Sequence, residues 1–301
     1  MLELGIISDE ISDDFDRACT LVREWGMRHV ELRTLWGKNV LQLDDDEIDR
    51  ARGIVRSHDL TVTAIASPVF KSSLSGEPRV IEADFSLGGS ERFEDQLELL
   101  ERTLRLCERF DAPAARVFTF WREPWTADLA QAVAERLAIA AERADAAGRR
   151  IVVENEPVCT VGTGAQLGEL DEALRRAAPH HLHAIALLWD PGNALAAGET
   201  RAFPDGYEAL ETTRIAHVHL KDAVVDSDAR VTFVPLGQGG VDYGAHLRRL
   251  VDDGYAGTVV LEPHYRPEGM DAERAAHIAV EAAQALIAAT LSDGVAADGG
   301  A

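Results

Sequence analysis

Lysine is nearly missing from this chain: of its 30 basic residues only Lys38, Lys71 and Lys221 are not arginine. Cysteine is as scarce. The three present (Cys19, Cys107 and Cys159) cannot all pair within one molecule, which excludes a disulfide scaffold. No apolar run is long and uninterrupted enough to span a bilayer, so no membrane partner is expected. Positive charge is outnumbered, with 30 Lys and Arg against 52 Asp and Glu, and the formal net charge of −22 would repel nucleic-acid phosphates over most of the surface. Nucleic acid is therefore not an expected partner. The chain opens on Leu2-Glu3-Leu4-Gly5-Ile6-Ile7, without a basic n-region or a long apolar h-region, and with an odd number of cysteines the expected compartment is the reducing cytoplasm. The preference for Arg over Lys, beside abundant Ala and Asp, fits a GC-rich genome.

What is present is an alternation. With 46% hydrophobic and 27% charged residues the chain can bury a large core. Short β-branched runs at 4–8, 29–33, 61–67, 115–120, 150–154, 184–190, 215–220 and 258–262 are each followed by a loop and a stretch of period 3.6. Those stretches cover 15–25, 46–58, 92–110, 127–147, 166–177, 207–213, 243–253 and 271–290. Eight β-then-α units with no composition break between them predict an α/β fold, a single (β/α)8 TIM barrel over residues 1–291. A doubly wound open sheet is the alternative, but it usually has fewer strands and a nucleotide fingerprint at the first turn, and none is there. Residues 292–301, rich in Gly, Ala and Asp, are expected to be a disordered tail. Two βα connections are long, 71–91 and 222–242, the second with a strand-like piece at 231–234. On a barrel such loops lie at the catalytic face, so both are candidate lids or subunit contacts. A short hairpin around Val80-Ile81-Glu82-Ala83-Asp84-Phe85 is expected in the first.

On a barrel the chemistry sits at the C-terminal ends of the strands. The fifth run ends in Glu154-Asn155-Glu156, the sixth in Asp190-Pro191-Gly192-Asn193 and the eighth in Glu262-Pro263-His264. The seventh, His217-Val218-His219-Leu220-Lys221-Asp222, carries His217, His219 and Lys221 on one face by period 2. Singly, each has an ordinary structural explanation, since a strand-end carboxylate often caps the next helix and a lone His often sits satisfied in a core. Four consecutive strands each delivering an acid or an imidazole at one level are different, because acids clustered there would repel one another. A divalent cation resolves the conflict. Three carboxylates and one His are a mostly hard ligand set that favours Mn²⁺, Mg²⁺ or Co²⁺, and the lack of thiolates argues against structural zinc.

The order Glu-Asn-Glu, Asp-Pro-Gly-Asn, His-x-His-x-Lys-Asp, Leu-Gly-x-Gly-Gly-Val-Asp-Tyr and Leu-Glu-Pro-His resembles the xylose isomerase-like TIM barrel superfamily, nearest its sugar phosphate isomerase/epimerase group. The resemblance covers nearly the whole chain. Carried over from the ketose 3-epimerases of that group, it implies Glu154, Asp190, His219 and Glu262 as ligands of one divalent cation, Mn²⁺ first, with Mg²⁺, Co²⁺ or Zn²⁺ as alternatives. It also implies Glu154 and Glu262 as an opposed acid/base pair that removes and returns a proton next to a carbonyl through an ene-diolate held by the cation. The implied activity is sugar or sugar phosphate isomerisation or epimerisation. An inosose-type dehydratase and the metal-bearing subunit of a C-glycoside deglycosidase share the ligand order and remain alternatives, whereas an endonuclease-IV-type enzyme needs more histidines and a basic groove. Two positions depart from the epimerases, with Asn193 in place of a His and Val225 in place of an Arg. Substrate recognition is therefore expected to differ.

The remaining candidates are residues that the strand phases bring near the pocket. Asn193, Lys221, His264, Arg122 and Lys71 are expected to touch a carbohydrate substrate, Lys221 having an ion pair with Asp222 or Glu262 as its alternative. Glu31 and Arg33 share a face of the second strand, and an internal ion pair is favoured over a pocket role. His217, one pleat deeper than His219, is expected to orient ligands. Phe118 and Phe120 are expected in the core rather than in an aromatic wall. The turn Gly237-Gln238-Gly239-Gly240 offers backbone N–H groups to an anion, although without a following GK[ST] it is weak evidence for phosphate. The expected partners are a small carbohydrate substrate and further copies of the chain, with a second polypeptide as the alternative.

Overall fold

The β-branched runs become eight parallel strands: β1 Glu3–Ile7, β2 His29–Leu32, β3 Thr61–Ile65, β4 Ala114–Val117, β5 Arg150–Glu154, β6 Ile185–Trp189, β7 Ile215–Leu220 and β8 Thr258–Leu261. Each pairs with its successor, and β8 closes onto β1 with Leu4 opposite Val259 and Gly5 opposite Val260. The computed structural model, which describes residues 2–77 and 91–298, is thus a single closed (β/α)8 barrel, as expected.

Seven helices stand where the periodicity predicts them: α1 Phe15–Glu24, α2 Asp45–Ser57, α3 Phe93–Phe110, α4 Ala127–Ala146, α5 Gly164–Ala177, α7 Tyr243–Asp252 and α8 Ala272–Asp298. Their starts follow from short polar side chains. Asp14 accepts the backbone N–H groups of Asp16 and Arg17, and Asp44 with Glu47 and Thr163 with Gln166 form reciprocal capping boxes, each contributing about 1 kcal/mol. Their apolar stripes, such as Phe15, Ala18, Cys19 and Val22 of α1, join the outward residues of the strands in one large core.

The sixth unit differs from expectation. Its helix, α6 Pro191–Ala196, is set directly on the end of β6, because Asp190 caps it, Pro191 supplies the φ of a first helical residue, and Gly198 at φ +98° ends it. The expected helix at 207–213 is absent. A kinked turn, Ala202–Gly206, precedes it instead, with Phe203 extended at φ −128°, ψ 131°. The second difference is at the C-terminus, where α8 runs to Asp298, well into the segment expected to be disordered; Ala-rich sequence continues a helix readily, and residues 299–301 lie outside the described residues. The connection 222–242 holds an antiparallel hairpin of Asp222–Val225 against Val231–Val234, of which the sequence reading found only the second strand. The hairpin expected around 80–85 falls outside the described residues. No helix among the described residues is long and apolar enough to cross a membrane.

Inside the barrel, strand phase alone separates structure from chemistry. A small apolar cluster of Ala64, Ala114, Val152, Ala186 and Leu188 fills the lower interior. Two residues further along the same strands, the next inward positions are Arg116 on β4, Glu154 on β5 and Asp190 just past β6. The floor of the site is the layer directly above the plug.

Candidate metal centre and active site

Glu154, Asp190, His219 and Glu262, buried and at four successive strand ends, each place a ligand atom within 4.8 Å of the others. His219 Nδ1 lies 3.1 Å from Glu154 Oε1, 3.8 Å from Glu262 Oε2 and 4.0 Å from Asp190 Oδ2. Its other nitrogen, Nε2, is 3.1 Å from Oε2 of buried Glu31, which also receives His217 Nε2 at 2.7 Å. Glu31 therefore accepts a hydrogen bond from Nε2 and leaves Nδ1 facing the three carboxylates, the arrangement that fixes tautomer and ring orientation in metal-binding histidines. His217, expected to orient ligands, contacts Glu31 rather than any of the four residues. Glu31 and Arg33 do not form the internal ion pair favoured for them: Arg33 reaches Asp9 Oδ2 at 2.8 Å and Glu262 Oε1 at 2.9 Å instead.

Asp190 shows why helix cap and ligand are not competing descriptions. Its Oδ1 accepts the Asn193 N–H at 2.8 Å and starts α6, while Oδ2 points into the cluster. Asn155 clamps the same residue, accepting the Asp190 N–H at 2.9 Å and donating from Nδ2 to Asp190 O at 2.9 Å. Gly192 follows from this packing, since a Cβ there would come within 2.3 Å of Lys221 O. Asn193, expected to touch substrate, donates from Nδ2 to Glu154 Oε1 at 3.2 Å and to Asn155 O at 2.9 Å, and it lines the cavity above.

That cavity has a volume of about 550 Å³, within the range of small-ligand sites. Lys71, Lys221, His264 and Glu262 line it together with Arg33, for which the pocket was the less favoured alternative, and with Asp9, Arg116 and Glu156, three charged residues not expected there. Arg116 was visible in principle as the one charge in an apolar strand, in phase with Phe118. Arg122 is not brought to the cavity. Its Nη1 donates to Pro157 O at 2.7 Å, because the chain bends away after β4 and leaves Arg116 as the inward arginine. Phe118, expected in the core, also lines the cavity, with Lys71 Nζ 4.2 Å and the Arg116 guanidinium 4.7 Å from its ring centroid. Phe120 does pack in the core, against Phe70 and Phe93. From the hairpin after β7, Phe233 closes one side with its ring edge-on to His264 at 4.7 Å.

Lys221 pairs with Asp190 Oδ2 at 3.1 Å and with Glu262 Oε2, not with Asp222. Asp222 is engaged elsewhere: its carboxylate accepts the N–H groups of Gly237 at 2.9 Å, Gly239 at 2.8 Å, Ala223 at 3.0 Å and Val241 at 3.3 Å. The glycine turn thus holds an internal anion, and the expectation of an external one there is corrected. A Cβ on Gly239 would meet Asp222 Oδ1 at 2.2 Å. The three cysteines are buried free thiols. Burial pushes Cys159 far above the ordinary range, which fits its having no nucleophilic role.

The electrostatics of the four groups differ. Burial pushes the Glu154 carboxyl up, but Arg116, with Nη1 3.2 Å from Oε2, and His219 outweigh it and hold the group below the ordinary range. Burial acts likewise on Glu262, and Lys221, His264 and Arg33 hold it well below. At Asp190 burial wins over Lys221 and pushes the carboxyl up to about 6. Burial would lower His219, but Glu31 and Glu154 beside it raise the imidazole to about 10. Glu154 Oε2 and Asp190 Oδ2 are buried without a hydrogen-bond partner, their contacts being the ion pairs with Arg116 and Lys221. Two orphaned carboxylate oxygens beside an imidazole nitrogen, in a thiolate-free set, fit a hard divalent cation.

The chain matches the family described as xylose isomerase-like TIM barrel over residues 19–288 and belongs to it. Among solved structures it is similar to the IolI protein with a bound zinc atom, at 19% identity, TM-score 0.74, and 95% and 98% coverage of this and that chain. An L-ribulose 3-epimerase is similar at 19% identity, TM-score 0.68 and 99% and 98% coverage. A probable 3-DHS dehydratase, AsbF, of Bacillus anthracis is similar at 16% identity, TM-score 0.68 and 94% and 99% coverage. No curated sequence matches the chain.

Proposed function

We propose that this protein is a divalent-metal-dependent sugar or sugar phosphate isomerase/epimerase that works by proton abstraction next to a carbonyl. The observation that carries the reading is the convergence of Glu154, Asp190, His219 and Glu262 within 4.8 Å at the floor of a cavity of about 550 Å³, with two of the carboxylate oxygens lacking hydrogen bonds. These four residues would hold the cation, His219 through Nδ1, with Mn²⁺ the first choice. When bound, it supplies a Lewis acid that grips neighbouring substrate oxygens and acidifies the C–H between them.

The residues do the rest. Glu154 and Glu262 stand three strands apart across the barrel mouth and each is held ionised by cations, so one accepts the proton from one face of a carbon, while the other, after taking up a proton from solvent, donates that second proton to the opposite face. His264 Nε2, 3.1 Å from Glu262 Oε1, gives that carboxylate a partner through which the proton exchanges with the cavity. Lys71 and Lys221 supply donors for substrate hydroxyls, and Asn193, whose Nδ2 is committed to Glu154 and Asn155, offers its Oδ1 as an acceptor. Phe233 and Phe118 exclude water from the sides.

The test is to load the protein with Mn²⁺ and screen ketoses and inososes by NMR in D₂O. Solvent deuterium at a substrate carbon with unchanged mass otherwise supports the reading, and loss of one water would replace it with a dehydratase. An Asp190→Ala variant that keeps wild-type affinity for divalent ions overturns the metal site.

A further inference from the structure

Two of the three lysines in a chain that otherwise uses arginine line the same cavity, and one of them, Lys221, is only 4% exposed. Its ammonium touches Asp190 Oδ2 at 3.1 Å and Glu262 Oε2, one oxygen from each of two carboxylates assigned above to the divalent cation. An ammonium is a compact point charge that sits between two carboxylate oxygens much as a metal ion does; a planar guanidinium of fixed fork geometry does not. Arg33 and Arg116, by contrast, approach Glu262 Oε1 and Glu154 Oε2 from nearby strands and bridge no pair of proposed ligands.

We propose that Lys221 is a displaceable internal counter-ion: its ammonium neutralises Asp190 and Glu262 in the metal-free protein, and an entering divalent cation drives it up into the cavity, where it becomes a donor to a substrate oxygen. This rests on the metal reading given above. The physical reason is electrostatic. Asp190 and Glu262 are buried, and among the described residues no arginine pairs with Asp190, so without a cation between them they would repel in a medium that screens poorly. Once a divalent ion satisfies both oxygens, the ammonium has lost its partners and is repelled by the ion. The flexible four-carbon stem leaves the cavity as its exit. Loading is then an exchange of one cation for another, and the fold does not depend on the metal.

The scarcity of lysine makes the test clean. The full-length protein is treated briefly with an amine-acylating reagent with and without Mn²⁺, and peptides bearing Lys38, Lys71 and Lys221 are quantified by mass spectrometry. Acylation of Lys221 should rise several-fold with Mn²⁺ while exposed Lys38 stays constant. In parallel, Mn²⁺ affinity is measured by calorimetry for wild type and Lys221→Met, and removal of the competing charge should tighten binding by about tenfold or more. Metal-free Lys221→Met should also melt lower than metal-free wild type, and Mn²⁺ should restore it. Mn²⁺ binding with unchanged Lys221 acylation overturns the displacement alone and leaves the proposed function standing. Absence of Mn²⁺ binding in both proteins overturns the displacement and the metal reading together.

Discussion

Across the barrel mouth two groups of strands present different chemistry. β5 to β8 supply Glu154, Asp190, His219 and Glu262, whereas β2, β4 and the connection after β3 supply Arg33, Arg116 and Lys71. The arginines reach over to the other half. Arg116 pins Glu154 at 3.2 Å and Arg33 pins Glu262 at 2.9 Å, while Asp190 has no arginine partner among the described residues and relies on Lys221 of its own half. The outcome is visible in the carboxyls themselves, with both glutamates held below their ordinary range and the aspartate pushed up to about 6. One half of the barrel offers the candidate ligands; the other holds Glu154 ionised through Arg116, whereas Glu262 is held low first by Lys221 and His264 of its own half, with Arg33 behind them. Two ionised glutamates give the proposed mechanism a base on either face, and the one that donates must first take up a proton from solvent.

The largest effect should come from breaking that pair. Glu154→Gln and Glu262→Gln each keep the shape of the site and remove a proton acceptor, so each should lower turnover in the isomerisation assay by about 10²–10⁴, measured on protein that circular dichroism shows to be folded, since each also takes a charge partner from an arginine. A near-normal rate for Glu262→Gln would show that only one half of the pair does chemistry, and the symmetry of the two arginines would then have no catalytic meaning.

The arginines themselves should separate the two sides. Arg116 is buried and its partner Glu154 is 1% exposed, so Arg116→Met strands a charge in the interior and should cost about 3–5 kcal/mol in urea unfolding. Arg33→Met in an Asp9→Asn background, which removes a second largely buried carboxylate that Arg33 holds, should cost clearly less, because Glu262 keeps Lys221 and His264 as partners. Equal losses would mean that the two carboxylates are not differently supported.

The same contrast explains what the sequence disclosed. The ligand half was legible because each of four strands ends its apolar run in a polar residue at the same level, and period 2 selects His219 and Lys221 with His217 on one face. The barrel was legible for the same reason, through eight alternations of period. Of the cationic half only Lys71 was legible. Arg116 lies within an apolar strand rather than at its end, Asp9 lies in the turn after β1, and whether Arg33 pairs with Glu31 beside it or with Glu262 on β8 is decided by strand tilt and barrel closure. Arg122 was nominated because it stands at the end of its run, and the bend after β4 removes it. The sixth helix was misplaced because its start is set by Asp190 and Pro191 rather than by an apolar stripe.

The smallest expected effect concerns acid stability. The two glutamates of the mouth are held low and resist protonation, and Asp190, raised to about 6, takes up its proton more readily folded than unfolded, so the loss of stability on acidification should come from a different group, behind the Asp190 half. His246 on α7 is fully buried, its Nε2 accepts the Trp189 Nε1–H at 3.2 Å, and Nδ1 has no partner. Burial alone pulls its imidazole down from 6.5 to about 3. Between those values the unfolded chain takes up a proton that the folded chain refuses, so its contribution is fully present above about pH 6.5 and is lost as the pH falls towards 3. One unit below 6.5 the loss is about 1.4 kcal/mol. His246→Gln keeps an acceptor for Trp189 and cannot titrate, so urea unfolding at pH 7.5 and 5.5 should show wild type losing that amount relative to the variant. If the two proteins fall in parallel, the acid-sensitive element is not this imidazole, and the carboxylates of the mouth are less firmly held than their arginine partners suggest.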